Sequence, residues 1–129
     1  QSRSSAASDV YKRQLMNSVL LAYVLLGFAI VSEVIGSSFL VKSEGFTKLF
    51  PSVMVFIFFS TAFYLLSQVI KTIPLGIAYA IWAGVGIVLT AVVSYFVFKQ
   101  TLDNPALIGI GFIVSGVIII NLFSQSAGH

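Results

Sequence analysis

The run VLLAYVLLGFAIVSEVIGSSFLV, residues 19–41, decides the fold. Apart from Tyr23 and three serines it is apolar from end to end, and it holds one carboxylate, Glu33. At about 1.5 Å per residue, a helix of this length crosses the ~30 Å hydrocarbon core of a bilayer. Lipid offers the backbone no hydrogen-bonding partner, so a segment in that setting must be helical.

Working outward, three more apolar runs follow at 51–70, 74–98 and 105–123, each long enough to span. The chain of 129 residues is 58% hydrophobic and 9% charged, too little charge to cover the surface of a soluble domain. Only short connections separate the runs, so consecutive helices alternate in direction and both termini lie on one side. The expected fold class is an all-α integral membrane protein. Residues 16–129 would form a single four-transmembrane-helix bundle, with helices near 18–41, 50–70, 74–98 and 104–124. Asn17 or Ser18 can cap the first helix, Pro51 and Pro74 suit the first turns of the second and third, and Asp103, Asn104 and Pro105 open the fourth.

Residues 1–15, QSRSSAASDVYKRQL, form a polar leader with no apolar core, and so are not a cleavable signal peptide on their own. Met16 stands just before the first span and reads as the start. The leader is then either a translated adaptor, not native to the protein, or a short disordered tail. From Met16 onward Lys42, Lys48 and Lys99 fall on one side of the membrane and Lys71 on the other, a slight bias towards termini outside. So small a bias suits a chain that inserts both ways.

Cysteine is absent, and the single histidine, His129, is the last residue, so neither disulfides nor a metal site is expected. The net charge of +3 does not imply a nucleic-acid partner. Arg3, Lys12 and Arg13 sit in the leader and the other basic residues stand singly at helix ends, where they meet lipid headgroups. No nucleophile and base pair suggests an enzyme.

Glu33 lies near the bilayer centre, where insertion of an acid costs about 2.5–3.5 kcal/mol. Desolvation favours the protonated acid when it is alone, and an arriving cation favours the carboxylate. An acid of this kind suits proton-coupled transport; the alternative is a permanently neutral side chain that hydrogen-bonds a neighbouring helix. No Arg or Lys stands within any span, so its counter-charge must arrive as a proton or a ligand. Its helical neighbours include Leu26, Ala29, Gly36 and Ser37. The small ones suit either a concavity around the carboxylate or close helix packing.

In the third span Tyr79 and Trp82 share one helical face, and aromatic faces attract cations. Phe59 and Phe63 form a stripe in the second span, and Tyr23 precedes Glu33 by almost three turns. Aromatic residues can also be interfacial belts or lipid-facing filler. Gly84 and Gly86 weaken the middle of the third helix, which suits a hinge or close packing. Gly109 and Gly116, seven apart on the fourth helix, suit an association face between two copies or within one. Four helices are too few to enclose a drug-sized pocket, so a dimer is expected.

The segments SEVIG (32–36), SEGFTKLFPS (43–52), IPLGIAYAIWAGVGIV (73–88) and DNPALIGIGFIVSGVIIINL (103–122) resemble the small multidrug resistance family, in its quaternary-ammonium branch. The resemblance runs from Met16 to the C-terminus. It implies a multi-pass protein of the bacterial inner membrane that exports hydrophobic cations in exchange for protons, as an antiparallel homodimer. Its partners would be lipophilic cations and membrane lipid, with protons as coupling ion and no cofactor. It places the membrane carboxylate on Glu33, the aromatic pair on Tyr79 and Trp82, and the first-helix tyrosine on Tyr23. Substrate-lining positions fall on Leu26, Ala29, Gly36, Ser37 and Phe63. At Phe59 the family pattern has a tyrosine, so a hydroxyl is lost here. The loop lysine, Lys42, stands one position later than in that pattern, and no role is carried onto it.

The mechanism these readings support has two Glu33 carboxylates, one per subunit, binding either protons or one lipophilic cation. A guanidinium exporter of the same fold is the nearest alternative, and a proton-translocating ring proteolipid a more distant one. A non-transporting subunit of a hetero-oligomer is a further alternative.

Overall fold

The computed structural model describes residues 3–124. They form four helices in the order α1 (Arg3–Lys42), α2 (Leu49–Val69), α3 (Leu75–Phe96) and α4 (Asn104–Phe123). Each contains a stretch apolar and long enough to cross a membrane, and the protein is a multi-pass, four-helix membrane bundle. His129, on which the metal expectation turned, lies outside the described residues.

The first helix differs from its expected start. It does not begin at Asn17 or Ser18 but runs back to Arg3, about 60 Å in all, twice the hydrocarbon thickness. Residues 3–16 contain no Gly or Pro and include Ala, Lys, Arg, Gln and Leu, which favour a helix. Ser18 is therefore inside the helix, and its hydroxyl donates to the Gln14 carbonyl at 3.0 Å instead of capping.

The α1–α2 turn is built on Ser43, which is fully buried. Its hydroxyl donates to the Leu40 carbonyl at 2.7 Å and accepts from the Phe46 N–H at 3.1 Å. Between those bonds Glu44, Gly45 and Phe46 all adopt positive φ (49°, 74° and 63°), which only Gly45 does without strain. Lys48 and Glu44 pair at 3.5 Å across the turn, well exposed and so worth little.

Pro74 occupies the N-cap of α3, one residue earlier than expected, with its carbonyl accepting from the Ala78 N–H at 2.9 Å. After α3, Lys99 takes φ 58° and the chain reverses towards Asp103. Asp103 caps α4, accepting from the Ala106 N–H at 3.1 Å, and Pro105 sits in the first turn. Asp103→Ala is expected to destabilise the protein by about 1 kcal/mol and Asp103→Asn by much less, since Asn caps as well as Asp. Unfolding in mixed micelles would check the ranking.

The helices do not contribute equally. α1 is the hub, packing on α2 and α3, and α4 is joined chiefly to α3. The core is made by Leu26, Ile30 and Val34 of α1, Leu66 and Val69 of α2, Ile73 of the turn and Ala78 of α3. Gly36 brings α1 and α2 together: a methyl placed there would come within 2.8 Å of the Phe59 ring and 3.2 Å of Phe58 Cβ. Phe39 stacks on Phe58 one turn away, with ring centroids 6.0 Å apart. α4 has no buried residue, although it is apolar throughout.

Candidate functional site

Glu33 projects from α1 towards α3 at Gly86. A methyl on Gly86 would lie 4.0 Å from Glu33 Oε2, 3.9 Å from Ile30 and 3.7 Å from Trp82 Cδ1. The missing side chain thus lets the carboxylate lie close to the α3 backbone, beside the indole one turn earlier. Trp82 in turn lies beside Tyr79, ring centroids 6.2 Å apart and tilted by 32°. On its own helix Glu33 Oε1 accepts from the Ser37 hydroxyl at 3.4 Å, a long bond. Glu33 is half-buried, and among the described residues no basic side chain pairs with it.

The carboxylate opens into a cavity of about 490 Å³ between α1, α3 and α4. Glu33, Trp82, Gly86, Thr90, Ser94 and Gln100 line it, among mostly apolar neighbours. An acid, an indole and an apolar wall in one volume can hold a cation whose charge is carried on a hydrophobic body.

The other residues singled out in the sequence are distributed differently. Leu26 and Ala29 are fully buried in helix packing and line no part of this cavity. Gly36 is filled by the Phe59 ring, and Phe63 lies exposed on the outer side of α2. Tyr23 packs against the apolar core and borders a separate groove beside Met16 and Leu20. α3 runs as one helix through both Gly84 and Gly86, and Gly84 is packed against Val117 of α4. Gly109 and Gly116 face open space, with nothing within 4 Å of where a side chain would begin.

Thr90, Ser94 and Gln100 went unnoticed in the sequence. The signal was there, since Gly86, Thr90 and Ser94 recur every four residues and so share one face of α3. Without knowing that Gly86 meets Glu33, nothing marked that face as the one that matters.

With this geometry in view, comparison with known proteins identifies the lineage. Residues 21–113 match the family described as Small Multidrug Resistance protein. The chain is 53% identical over 107 residues to the multidrug transporter EmrE of Escherichia coli (strain K12), covering 83% of this chain and 97% of that one. It is 48% identical over 107 residues to the quaternary ammonium compound-resistance protein QacE of Escherichia coli, with the same coverage. Over 104 residues it is 48% identical to QacG of Staphylococcus sp. (strain ST94), covering 81% of this chain and 97% of that protein. A match over most of the chain, with identity near one half, places this four-helix membrane protein in the small multidrug resistance family.

Proposed function

We propose that this protein is a secondary transporter that exports lipophilic cations, quaternary ammonium compounds and similar aromatic cations, across the bacterial inner membrane in exchange for protons. The observation that carries the proposal is the placement of Glu33 beside Trp82 in an apolar cavity, with no basic residue paired to it among the described residues. The names of the similar proteins, a multidrug transporter and two quaternary ammonium resistance proteins, point to the same cargo.

In this reading Glu33 binds a proton or a cation, never both. Cation entry displaces the proton, because the carboxylate must be ionised to neutralise the positive charge. Trp82 stabilises the cation through its ring, and Tyr79, packed beside it but outside this cavity, joins it once the second subunit is in place. The working unit is a homodimer of antiparallel subunits, in which α4, unburied here and open at Gly109 and Gly116, packs against its counterpart. Two Glu33 carboxylates, one from each subunit, then face one site and bind either protons or one cation. Phe59, Phe63, Tyr23 and Ser37 complete the substrate surface once the second subunit is in place. Exchange of access between the two sides repacks α3 around Gly84 and Gly86.

The apolar and aromatic lining favours large lipophilic cations over guanidinium, whose planar array of donors needs polar partners on several sides. Adding tetraphenylphosphonium to purified protein in weakly buffered detergent is expected to release protons, and guanidinium at equal concentration much less. No proton release with either cation rejects the exchange, and a larger release with guanidinium rejects the cargo.

A further inference from the structure

The cavity at Glu33 does not end at Trp82. It continues along α3 past Thr90 and Ser94 to Gln100 in the α3–α4 connection, on the membrane face where α1 ends at Lys42. A second, smaller cavity of about 70 Å³ lies between α1 and α3, and Ser37, Ser38, Thr90 and Ser94 contribute to its wall. The two volumes share Thr90 and Ser94. Ser37, whose hydroxyl donates to Glu33, opens on the smaller one.

The hydroxyls of Ser37, Thr90 and Ser94 differ from the back-bonded hydroxyls of the spans. Ser38, Thr61 and Ser115 each return their hydroxyl to a carbonyl four residues back in the same helix, at 3.0, 2.9 and 2.8 Å. That is how a hydroxyl is satisfied in lipid without any other partner. Ser37 instead reaches a carboxylate, and neither Thr90 nor Ser94 bonds back to its own helix. Four hydroxyl-bearing residues stand on the smaller cavity's wall among Val34, Val41, Val93 and Phe98, and a water molecule needs roughly 10–15 Å³ and two to four polar partners. From Glu33 to the end of α1 is about 14 Å along the helix axis.

We propose that Ser37, Thr90, Ser94 and Gln100 line a water-filled route by which protons pass between Glu33 and the membrane face of the α3–α4 connection. The route rests on the exchange function proposed above. When a cation binds, the proton leaves the Glu33 carboxyl, and the bonding electron pair stays on the carboxylate. Water beside Ser37 and Thr90 takes up the proton, which enters the aqueous phase at Gln100; nothing is oxidised or reduced. Among the described residues lining the two cavities, Glu33 is the only acid or base, and Lys99 adjoins Gln100 at the mouth. α2, α3 and α4 contain no Asp, Glu, Lys, Arg or His, and Tyr64, Tyr79 and Tyr95 line neither cavity.

Stopped-flow mixing of the full-length protein with tetraphenylphosphonium tests the route. A pH indicator reports the released proton, and the fluorescence of Trp82, the single tryptophan, reports cation binding. In Thr90→Val/Ser94→Ala the proton yield per bound cation is expected to match the parent protein, while proton release slows about tenfold, as for loss of a hydrogen bond on the path. The binding signal then precedes the proton. Thr90→Ser, which keeps the hydroxyl, is expected to release protons at the parent rate. Parent-rate release from the double variant overturns the route. So does a Thr90→Ser variant as slow as Thr90→Val, or a fall in yield along with rate, since these mark a packing role. Glu33→Gln in the same assay separates the two ideas. Proton release from that variant rejects the exchange function itself, whereas silence there with parent-rate release from the double variant rejects only the route.

Discussion

Glu33→Gln is expected to abolish cation-driven proton release and proton-driven efflux together. Glutamine has nearly the same shape, keeps an acceptor for the Ser37 hydroxyl and fits the same place beside Gly86 and Trp82, so the cavity survives. What it loses is the ability to become negative. A cation about 4 Å from a carboxylate, at an effective dielectric constant near 20, gains about 4 kcal/mol, so cation affinity should fall on the order of a thousandfold. The remaining affinity, from the indole and the apolar wall, should no longer respond to pH. In the parent protein affinity should fall as pH is lowered, because protons compete for the same oxygens. Titration of tetraphenylphosphonium binding at several pH values measures both effects. PH-dependent binding in the Gln variant would show that the proton and cation meet elsewhere.

Gly84→Ala is expected to destabilise the packing of α4 on α3 by about 2 kcal/mol, a typical cost of overpacking. The added methyl would come 2.7 Å from Val117 Cγ2 and 3.2 Å from its Cβ, on a short, branched side chain with no room to swing away. Alanine is the better helix former by nearly 1 kcal/mol, so a net loss identifies the clash rather than the propensity. Val117→Ala in the same chain should recover most of the loss, giving a coupling that a double-mutant cycle reads directly. Gly109→Ala, inside α4 where nothing lies within 4 Å, should show no such loss and instead gain up to about 1 kcal/mol from helix propensity. A Gly84→Ala protein as stable as the parent, by unfolding in mixed micelles, would remove Val117 as the contact. Such tight packing also bears on the proposed rearrangement, because α3 cannot move at Gly84 without carrying or releasing α4.

Glu33 stood out in the sequence because an acid in an uncharged run is costly wherever the helix packs. Trp82 and Tyr79 stood out because they share a helical face with each other. That Glu33 and Trp82 meet was not readable, since they lie on different helices and no spacing relates them. The opposite holds for Leu26, Ala29 and Gly36, which are sequence neighbours of the acid but turn into α1's own packing. A helix has several faces within four residues of any position, and spacing alone does not say which one a cavity occupies.

The sequence settled that the chain is four membrane helices. Hydrocarbon leaves the backbone only its own hydrogen bonds, so four apolar runs of spanning length admit one secondary structure. Even where the first helix begins was less certain, since the polar residues before Met16 lack any breaker and carry the helix on to Arg3. Folding decided the arrangement: α1 as the hub, α4 resting chiefly on α3, and the Gly86–Thr90–Ser94 face turned to the acid. Lipid tails are as apolar as leucine, so hydropathy does not separate a helix face that meets lipid from one that meets another helix. In water that contrast would have written the inner faces into the sequence; in a membrane they become visible only when the helices touch.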